Sequence, residues 1–405
     1  MRTPELDELL RTLLNSGERI SDLNFTPGKP PQVEIDGKLT FPFVEPPLPE
    51  LTPFMTEQIA LCLVNERQDL LLQLLEHGSC DCAYEVPGLA RFRANVFTQR
   101  GCFSAVLRRL ETRIPTPDDL ALPPVFRRIT QLEKGLVLLT GASGQGKSTT
   151  LAALVHEINL TRAVHVVTLE DPIEFVHKHE IGTVNQRELG TDFDTWSNGL
   201  RAAVRQAPKV IVIGELRDRD TLEAAINASD TGHLVFATMH TLGASQTLHR
   251  IVGMFQADVQ ERLRARLADA LRYVVAQWLV PRPGGGRVAV LEVLANTKRA
   301  ADLIREGESE HKSLAKVIAE GQADGMQTFD QHLAQLFEDE FVDAETVLHY
   351  CTDRASVSRE MNRIRHERRA QQGGAAAVAE EIVDLKVDFT HGRTPGTRGK
   401  GGSGA

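Results

Sequence analysis

The 405-residue chain predicts an α/β protein in which a small α+β domain precedes a larger domain built on a mostly parallel sheet. Three observations point there. A single hydrophobic core stops growing near roughly 250–300 residues, so this length calls for two domains. A stretch from Ile114 to Pro124 carries four prolines and divides the chain. Beyond it, short β-branched apolar runs alternate with helical stretches, the order expected of a parallel sheet covered by helices.

The elements follow in chain order. Leu6, Leu9, Leu10, Leu13 and Leu14 recur at helical spacing before Gly17, which suits a helix stop. Val33 and Ile35 alternate with polar neighbours ahead of Asp36-Gly37, whose tolerance of positive φ suits a tight hairpin. Thr52 to Glu76 reads as one helix, and strand-like runs follow at Cys82 to Val86, Arg91 to Phe97 and Phe103 to Leu107. The first domain is therefore placed at residues 1–113. Pro115, Pro117, Pro123 and Pro124 remove backbone donors and hold 114–124 extended as a linker that permits domain rotation.

The second domain is placed at 125–370. Its strand runs are Leu136 to Thr140, Val164 to Leu169, Val210 to Ile213 and Leu234 to Thr238; Asp258 to Leu279 reads as a long helix, with later helices to about Arg369. Residues 371–405 are rich in Gly and Ala with few large apolar side chains, so a disordered tail is expected.

Bulk composition excludes several classes. A net charge of −9 repels nucleic acid and anionic lipid from the chain as a whole, and 5% aromatics leaves little for base stacking. Five scattered cysteines contain no C-x-x-C pair, so free thiols in a reducing cytosol are expected. The start lacks a signal-peptide pattern, and no apolar run approaches the ~20 residues that span a bilayer. A cytoplasmic protein without direct membrane insertion is the expectation.

Gly141-Ala142-Ser143-Gly144-Gln145-Gly146-Lys147-Ser148 fits G-x-x-x-x-G-K-[ST] directly after a strand run and directly before a helix, continuing into Thr149. The glycines let backbone N–H groups close on phosphates, and the helix N-terminus adds a positive dipole end. Lys147 should reach the β- and γ-phosphates of ATP, and the Ser148 hydroxyl should ligate Mg²⁺.

The later strands also end in polar residues, and ligands of open α/β sheets bind at the carboxyl ends of strands. The second run ends in Glu170-Asp171, the third in Gly214-Glu215 and the fourth in His240. Phosphoryl transfer needs metal neutralisation, an oriented water and positive charge on the leaving phosphates. Glu215 is the candidate for the metal side and Glu170 for orienting or deprotonating water, although the two assignments can exchange. His240 and His233 are candidate γ-phosphate sensors. Arg91, Arg93, Arg108, Arg201, Arg205 and Arg217 are the candidates for transition-state charge, which another subunit can also supply.

GASGQGKSTT at 141–150, TLEDPIEF at 168–175, VNQRELG at 184–190, VIVIGELRD at 210–218 and GHLVFATMHT at 232–241 together resemble the Walker A, Asp-box, Walker B and His-box motifs of the secretion ATPase superfamily. Within it, the likeness is to the type IV pilus retraction ATPase group, PilT and PilU, and extends over about residues 5–365. The resemblance implies a PAS-like N-terminal domain joined to a RecA-like ATPase domain, in a homo-hexamer holding ATP between subunits. It also implies that Glu170 and Glu215 form the acidic pair, that His233 and His240 form the His-box pair, and that Arg91 and Arg93 approach the nucleotide from the N-terminal domain. The implied partner is the inner-membrane platform protein of the type IV pilus machine, which would recruit the motor to the membrane's inner face.

VLRRLETRIPTPDDL at 106–120, VLEVLANT at 290–297, AADLIREGE at 300–308 and GMQTFDQ at 325–331 are closer to PilU than to PilT. Of the AIRNLIRE retraction motif of PilT proteins only LIRE at 303–306 survives, which favours an accessory motor working with a PilT paralogue. Asn24, Lys209 and Gln145 depart from the family pattern, and Lys209 is expected to reverse a charge near the site. The alternatives are a pilus-assembly or type II secretion ATPase, which usually carries a four-cysteine zinc motif, and a RecA-like nucleic-acid translocase, which the acidity and scarce aromatics disfavour. A regulatory subunit that binds nucleotide without hydrolysing it is a further reading, against which Lys147, Ser148, Glu170 and Glu215 are all retained.

Overall fold

The computed structural model describes residues 3–17, 20–35, 38–65, 67–110, 113–309 and 312–371. Helix α1 (Thr3–Asn15) buries Leu6, Leu10, Leu13 and Leu14 on one face. Strands β1 (Ile20–Phe25), β2 (Gln32–Ile35) and β3 (Lys38–Thr40) come next. Asp36-Gly37 lies outside the described residues; Ile35 and Lys38 on either side of it are paired antiparallel.

The helix read over Thr52 to Glu76 is two helices, α2 (Pro53–Val64) and α3 (Gln68–His77). Thr52 caps α2 by accepting the Met55 N–H, and Asn65 ends it in the left-handed conformation at φ 45° and ψ 69°. After glycine, asparagine is the residue that enters that region at least cost, so a break there needs neither Gly nor Pro. Strands β4 (Ser79–Val86), β5 (Ala90–Gln99) and β6 (Cys102–Arg109) complete a six-stranded sheet of order β3-β2-β1-β6-β5-β4. Leu6, Leu10, Phe25, Phe92 and Leu107 form its core.

The segment read as extended linker is folded back instead. Thr116 and Asp119 exchange hydrogen bonds, Thr116 N–H to Asp119 Oδ2 at 3.0 Å and Asp119 N–H to Thr116 Oγ1 at 3.1 Å. The Ala121 N–H bonds the Asp118 carbonyl, and Ala121 itself has φ 52°. A local side-chain box thus overrides the extended bias of the neighbouring prolines.

Helix α4 (Val125–Thr130) leads into β7 (Gly135–Thr140), α5 (Lys147–Thr161), β8 (His165–Glu170) and β9 (Thr183–Glu188). Then come α6 (Trp196–Ala203), β10 (Val210–Ile213), α7 (Arg219–Asp230), β11 (Leu234–Met239), α8 (Ala244–Gly253) and α9 (Ala257–Ala270). Strands β12 (Leu271–Pro281) and β13 (Arg287–Ala295) form an antiparallel hairpin. The seven strands run β13-β12-β7-β11-β10-β8-β9, and every neighbouring pair except β12–β13 is parallel. Alternate residues of β7 feed opposite cores: Leu136 and Leu138 pack with α7 to α9, Val137 and Leu139 with α4 and α5.

The long helix read over Asp258 to Leu279 therefore stops at Ala270, and its second half is β12. No glycine or proline marks the change. Tyr273, Val274, Val275 and Trp278 are strand formers, and burying Val274 and Val275 contributes about 1.5–3 kcal/mol each, more than any helix propensity at stake. Helices α10 (Lys298–Glu306) and α11 (Leu314–Glu320) flank the sheet. Helices α12 (Phe329–Glu338), α13 (Ala344–Tyr350) and α14 (Arg354–Gln371) close a separate core against the hairpin through Ala276, Val280, Val288 and Val290. Residues 372–405, read as a tail, lie outside the described residues.

Candidate active site

A cleft of about 940 Å³ opens at the carboxyl ends of β7, β8, β10 and β11, and the N-terminal domain forms its other wall. The loop from Gly141 to Gly146 enters it with three glycines at positive φ: Gly141 at 148°, Gly144 at 75° and Gly146 at 77°. A Cβ on Gly141 would stand 2.5 Å from the Gln277 carbonyl oxygen, and one on Gly146 would stand 2.9 Å from Gln277 Nε2. Gly141 and Gly146 are therefore required twice, by conformation and by the approach of β12, and Gly144 by conformation alone.

Gln277 is the brace for this loop. Its Oε1 accepts the Thr150 hydroxyl at 2.8 Å, and its Nε2 donates to the Gln145 carbonyl at 2.7 Å. Gln145 returns the contact, its Oε1 accepting the Leu279 N–H at 2.5 Å. The residue that departs from the family pattern thus serves as a second tie to β12. Ser143, Gly144, Lys147 and Ser148 line the cleft; Ala142 and Thr149 are half-buried and outside its lining.

Lys147 is buried, and its ammonium donates to the carbonyls of Gly141 at 2.7 Å and Ala142 at 2.9 Å. Burial pulls its pKa down, opposed by the carboxylates of Glu215 and Glu174. Nζ also lies 3.5 Å from His240 Nδ1, while His240 Nε2 lies 3.4 Å from Glu215 Oε1. Both contacts are satisfied together by the neutral tautomer with its proton on Nε2, since an ammonium has only donors and a carboxylate only acceptors. The other oxygen of Glu215 accepts from Arg217 Nε at 2.7 Å. The lysine, histidine, glutamate and arginine thus form one line across three strand ends.

Glu170 sits at the end of β8. Its Oε1 accepts the Thr168 hydroxyl at 2.6 Å and Gln186 Nε2 at 2.9 Å. Burial pushes its pKa up, and these two hydrogen bonds act against that shift.

Arg91 and Arg93, two apart on β5, both line the cleft. Arg91 is engaged by Glu188 Oε2 at 3.1 Å and more weakly by Glu85 at 3.7 Å. Arg93 is exposed and makes no ion pair or hydrogen bond among the described residues. Arg108 donates to Asp22 at 2.9 Å, and Arg201 and Arg205 lie outside the cleft lining.

Within one chain His233 does not reach the cleft. It precedes β11, at the opposite end of that strand from His240, where its Nδ1 is 2.9 Å from the Ala228 carbonyl and 3.2 Å from the Thr231 hydroxyl. Lys209 likewise precedes β10, at the amino edge of the sheet, so its charge is remote from the cleft rather than near it. Sequence reasoning missed Gln277, Thr168 and Gln186. The first was hidden in the stretch read as helix. Gln186 lies in Thr183–Glu188, a strand with Val184 as its one apolar residue, so no apolar/polar alternation marked it from sequence.

Among the described residues, no helix is long and apolar enough to cross a membrane. A family model described as type II/IV secretion system protein matches residues 117–284. The chain is 43% identical over 335 residues to the type IV pilus ATPase PilU of Pseudomonas aeruginosa, across 82% of this chain and 85% of that protein. It is 38% identical over 332 residues to PilT of the same organism, the type IV pilus retraction ATPase, across 82% and 94%. The crystal structure of the pilus retraction motor PilT with bound ADP matches with a TM-score of 0.78 at 39% identity, over 87% of this chain and 99% of that one. The ATPase DotB of Legionella pneumophila matches with a TM-score of 0.74 at 26% identity, over 86% and 95%.

Proposed function

The chain belongs to the type IV pilus retraction ATPase family of PilT and PilU, and on that footing we propose that it is a homo-hexameric motor whose ATP hydrolysis drives pilus retraction and twitching motility. Its role is that of a PilU-like accessory beside a PilT paralogue, held from the cytoplasm against the inner-membrane platform protein. The higher identity to PilU than to PilT supports the accessory reading, as does the loss of all but LIRE from the retraction motif.

The observation that carries the enzymatic reading is the line Lys147–His240–Glu215, which ties the phosphate loop to two further strand ends. The residues present fit a magnesium nucleotide. Positive-φ glycines, the N–H groups at the start of α5 and an ammonium that donates to two loop carbonyls and approaches His240 form a cradle for anionic phosphates. Mg²⁺ would neutralise phosphate charge, held directly by Ser148 and through water by Glu215.

Glu170 orients the attacking water and accepts its proton; a raised proton affinity suits that task near neutral pH. His240 reports occupancy at Lys147 to Glu215 and β11. Arg93 is the cation free to meet phosphate, whereas Arg91 must first leave Glu188. His233 holds the turn between α7 and β11 within its own chain.

An arginine supplied by a neighbouring subunit is worth about 10³–10⁵ in kcat, so turnover should be confined to the assembled species. ATPase activity across a size-exclusion profile, wild type beside Glu215→Ala, tests this. Activity in a hexamer-sized peak and its loss in the variant are expected; activity in a monomer peak would remove the intersubunit site.

A further inference from the structure

Gln186 uses its whole amide. Nε2 donates to Glu170 Oε1 at 2.9 Å and to the Phe175 carbonyl at 2.7 Å, and Oε1 accepts the His177 N–H at 2.8 Å. Rotating the amide by half a turn would set its oxygen against a carboxylate and a carbonyl and its NH₂ against an N–H, so the network admits one orientation only. Register explains the placement. Thr168 and Glu170 on β8 stand opposite Gln186 and Glu188 on β9, and all four project from the face that α5 covers lower down at Val166 and Val184. Thr168 and Gln186 therefore approach the same oxygen, Oε1, from adjacent strands, and Glu170 Oε2 makes no hydrogen bond among the described residues.

We propose that Gln186 is a positioning residue for ATP hydrolysis: it pins Oε1 of Glu170 and the 171–177 loop together, leaving Oε2 as the oxygen that faces water. This rests on the reading of Glu170 as the group that accepts the water's proton.

The chemistry follows from the donors. Two hydrogen bonds to the ionised carboxylate favour the charged form, the form able to take a proton, while burial disfavours it. The charged groups that bear on Glu170 are Glu174 on the following loop, which raises its pKa, and Arg91 on β5, which lowers it. Lys147, Glu215 and His240 share the same cleft across β10 and β11, with Asp171 and Glu188 at its rim. Removing the Gln186 donor leaves these charges in place and takes away one of the two hydrogen bonds that favour the ionised form of Glu170.

The test is steady-state ATPase activity of the assembled full chain between about pH 5 and 9, with Gln186→Met, Gln186→Glu, Thr168→Val and Glu170→Gln beside wild type. Gln186→Met should lower kcat about tenfold with KM for ATP within about twofold, and move the acidic limb of the kcat profile up by about one pH unit. Thr168→Val, which removes the other donor without touching the loop, should move the limb in the same direction. Gln186→Glu keeps the shape but puts a like charge beside Glu170, so it should be the more damaging of the two Gln186 changes; a role in packing alone makes it the milder one. An acidic limb unmoved in both Gln186 variants, with Glu170→Gln inactive, overturns the proposal alone. Turnover by Glu170→Gln with the wild-type profile overturns both the proposal and the reading beneath it.

Discussion

At the scale of single residues, what could be read from sequence was chemistry that is local along the chain. The phosphate loop needs its glycines, lysine and serine within eight positions, so the pattern reports itself. Gln186 and Gln277 act on partners 16 and 127 positions away, at Glu170 and Thr150, and nothing near either glutamine signals the contact. Buried histidines are another property that only the fold reveals. His332 is enclosed, its Nδ1 accepting the Leu291 N–H at 2.9 Å, and burial pulls its pKa from 6.5 to about 4. The unfolded chain then binds the extra proton between those values, so stability is full above pH 6.5 and declines as pH falls toward 4. By pH 5 the loss from His332 should be on the order of 2 kcal/mol. Urea unfolding at pH 7 and pH 5 should show it, and His332→Asn, which keeps an acceptor for Leu291, should flatten the dependence.

At the scale of elements, the four central strands were legible because each is a short apolar run with a polar residue at its carboxyl end. Strand β12 was not, because α9 passes into it without a glycine or proline and its apolar residues continue the helix's own pattern. The consequence for the site is large, since β12 carries the brace of the phosphate loop. Gln277→Leu should leave the Thr150 hydroxyl and the Gln145 carbonyl without their buried partner, at a cost of about 1–3 kcal/mol. The same change should weaken nucleotide binding, because the loop loses one of its two ties to β12. Chemical denaturation together with titration by a fluorescent nucleotide checks both; unchanged affinity would mean that Gln145 alone holds the loop.

At the scale of the whole molecule, the N-terminal domain meets the parallel sheet at its outermost strand. Arg67 donates to the Thr191 hydroxyl at 2.8 Å and the Gly190 carbonyl at 3.1 Å, just past β9, and Arg91 reaches Glu188 on that strand. Strand β9 has β8 on one side and stands last in the sheet order. Strands held on one side only exchange their amide hydrogens early, at opening free energies well below that of global unfolding. In this ATPase that same strand supplies both Gln186 to Glu170 and Glu188 to Arg91. On slow heating, turnover should therefore fade several degrees before the far-ultraviolet circular dichroism changes, with amides of 183–188 losing protection first. Heat would switch the ATPase off reversibly while its core stays folded, and cooling from that window should restore the full rate.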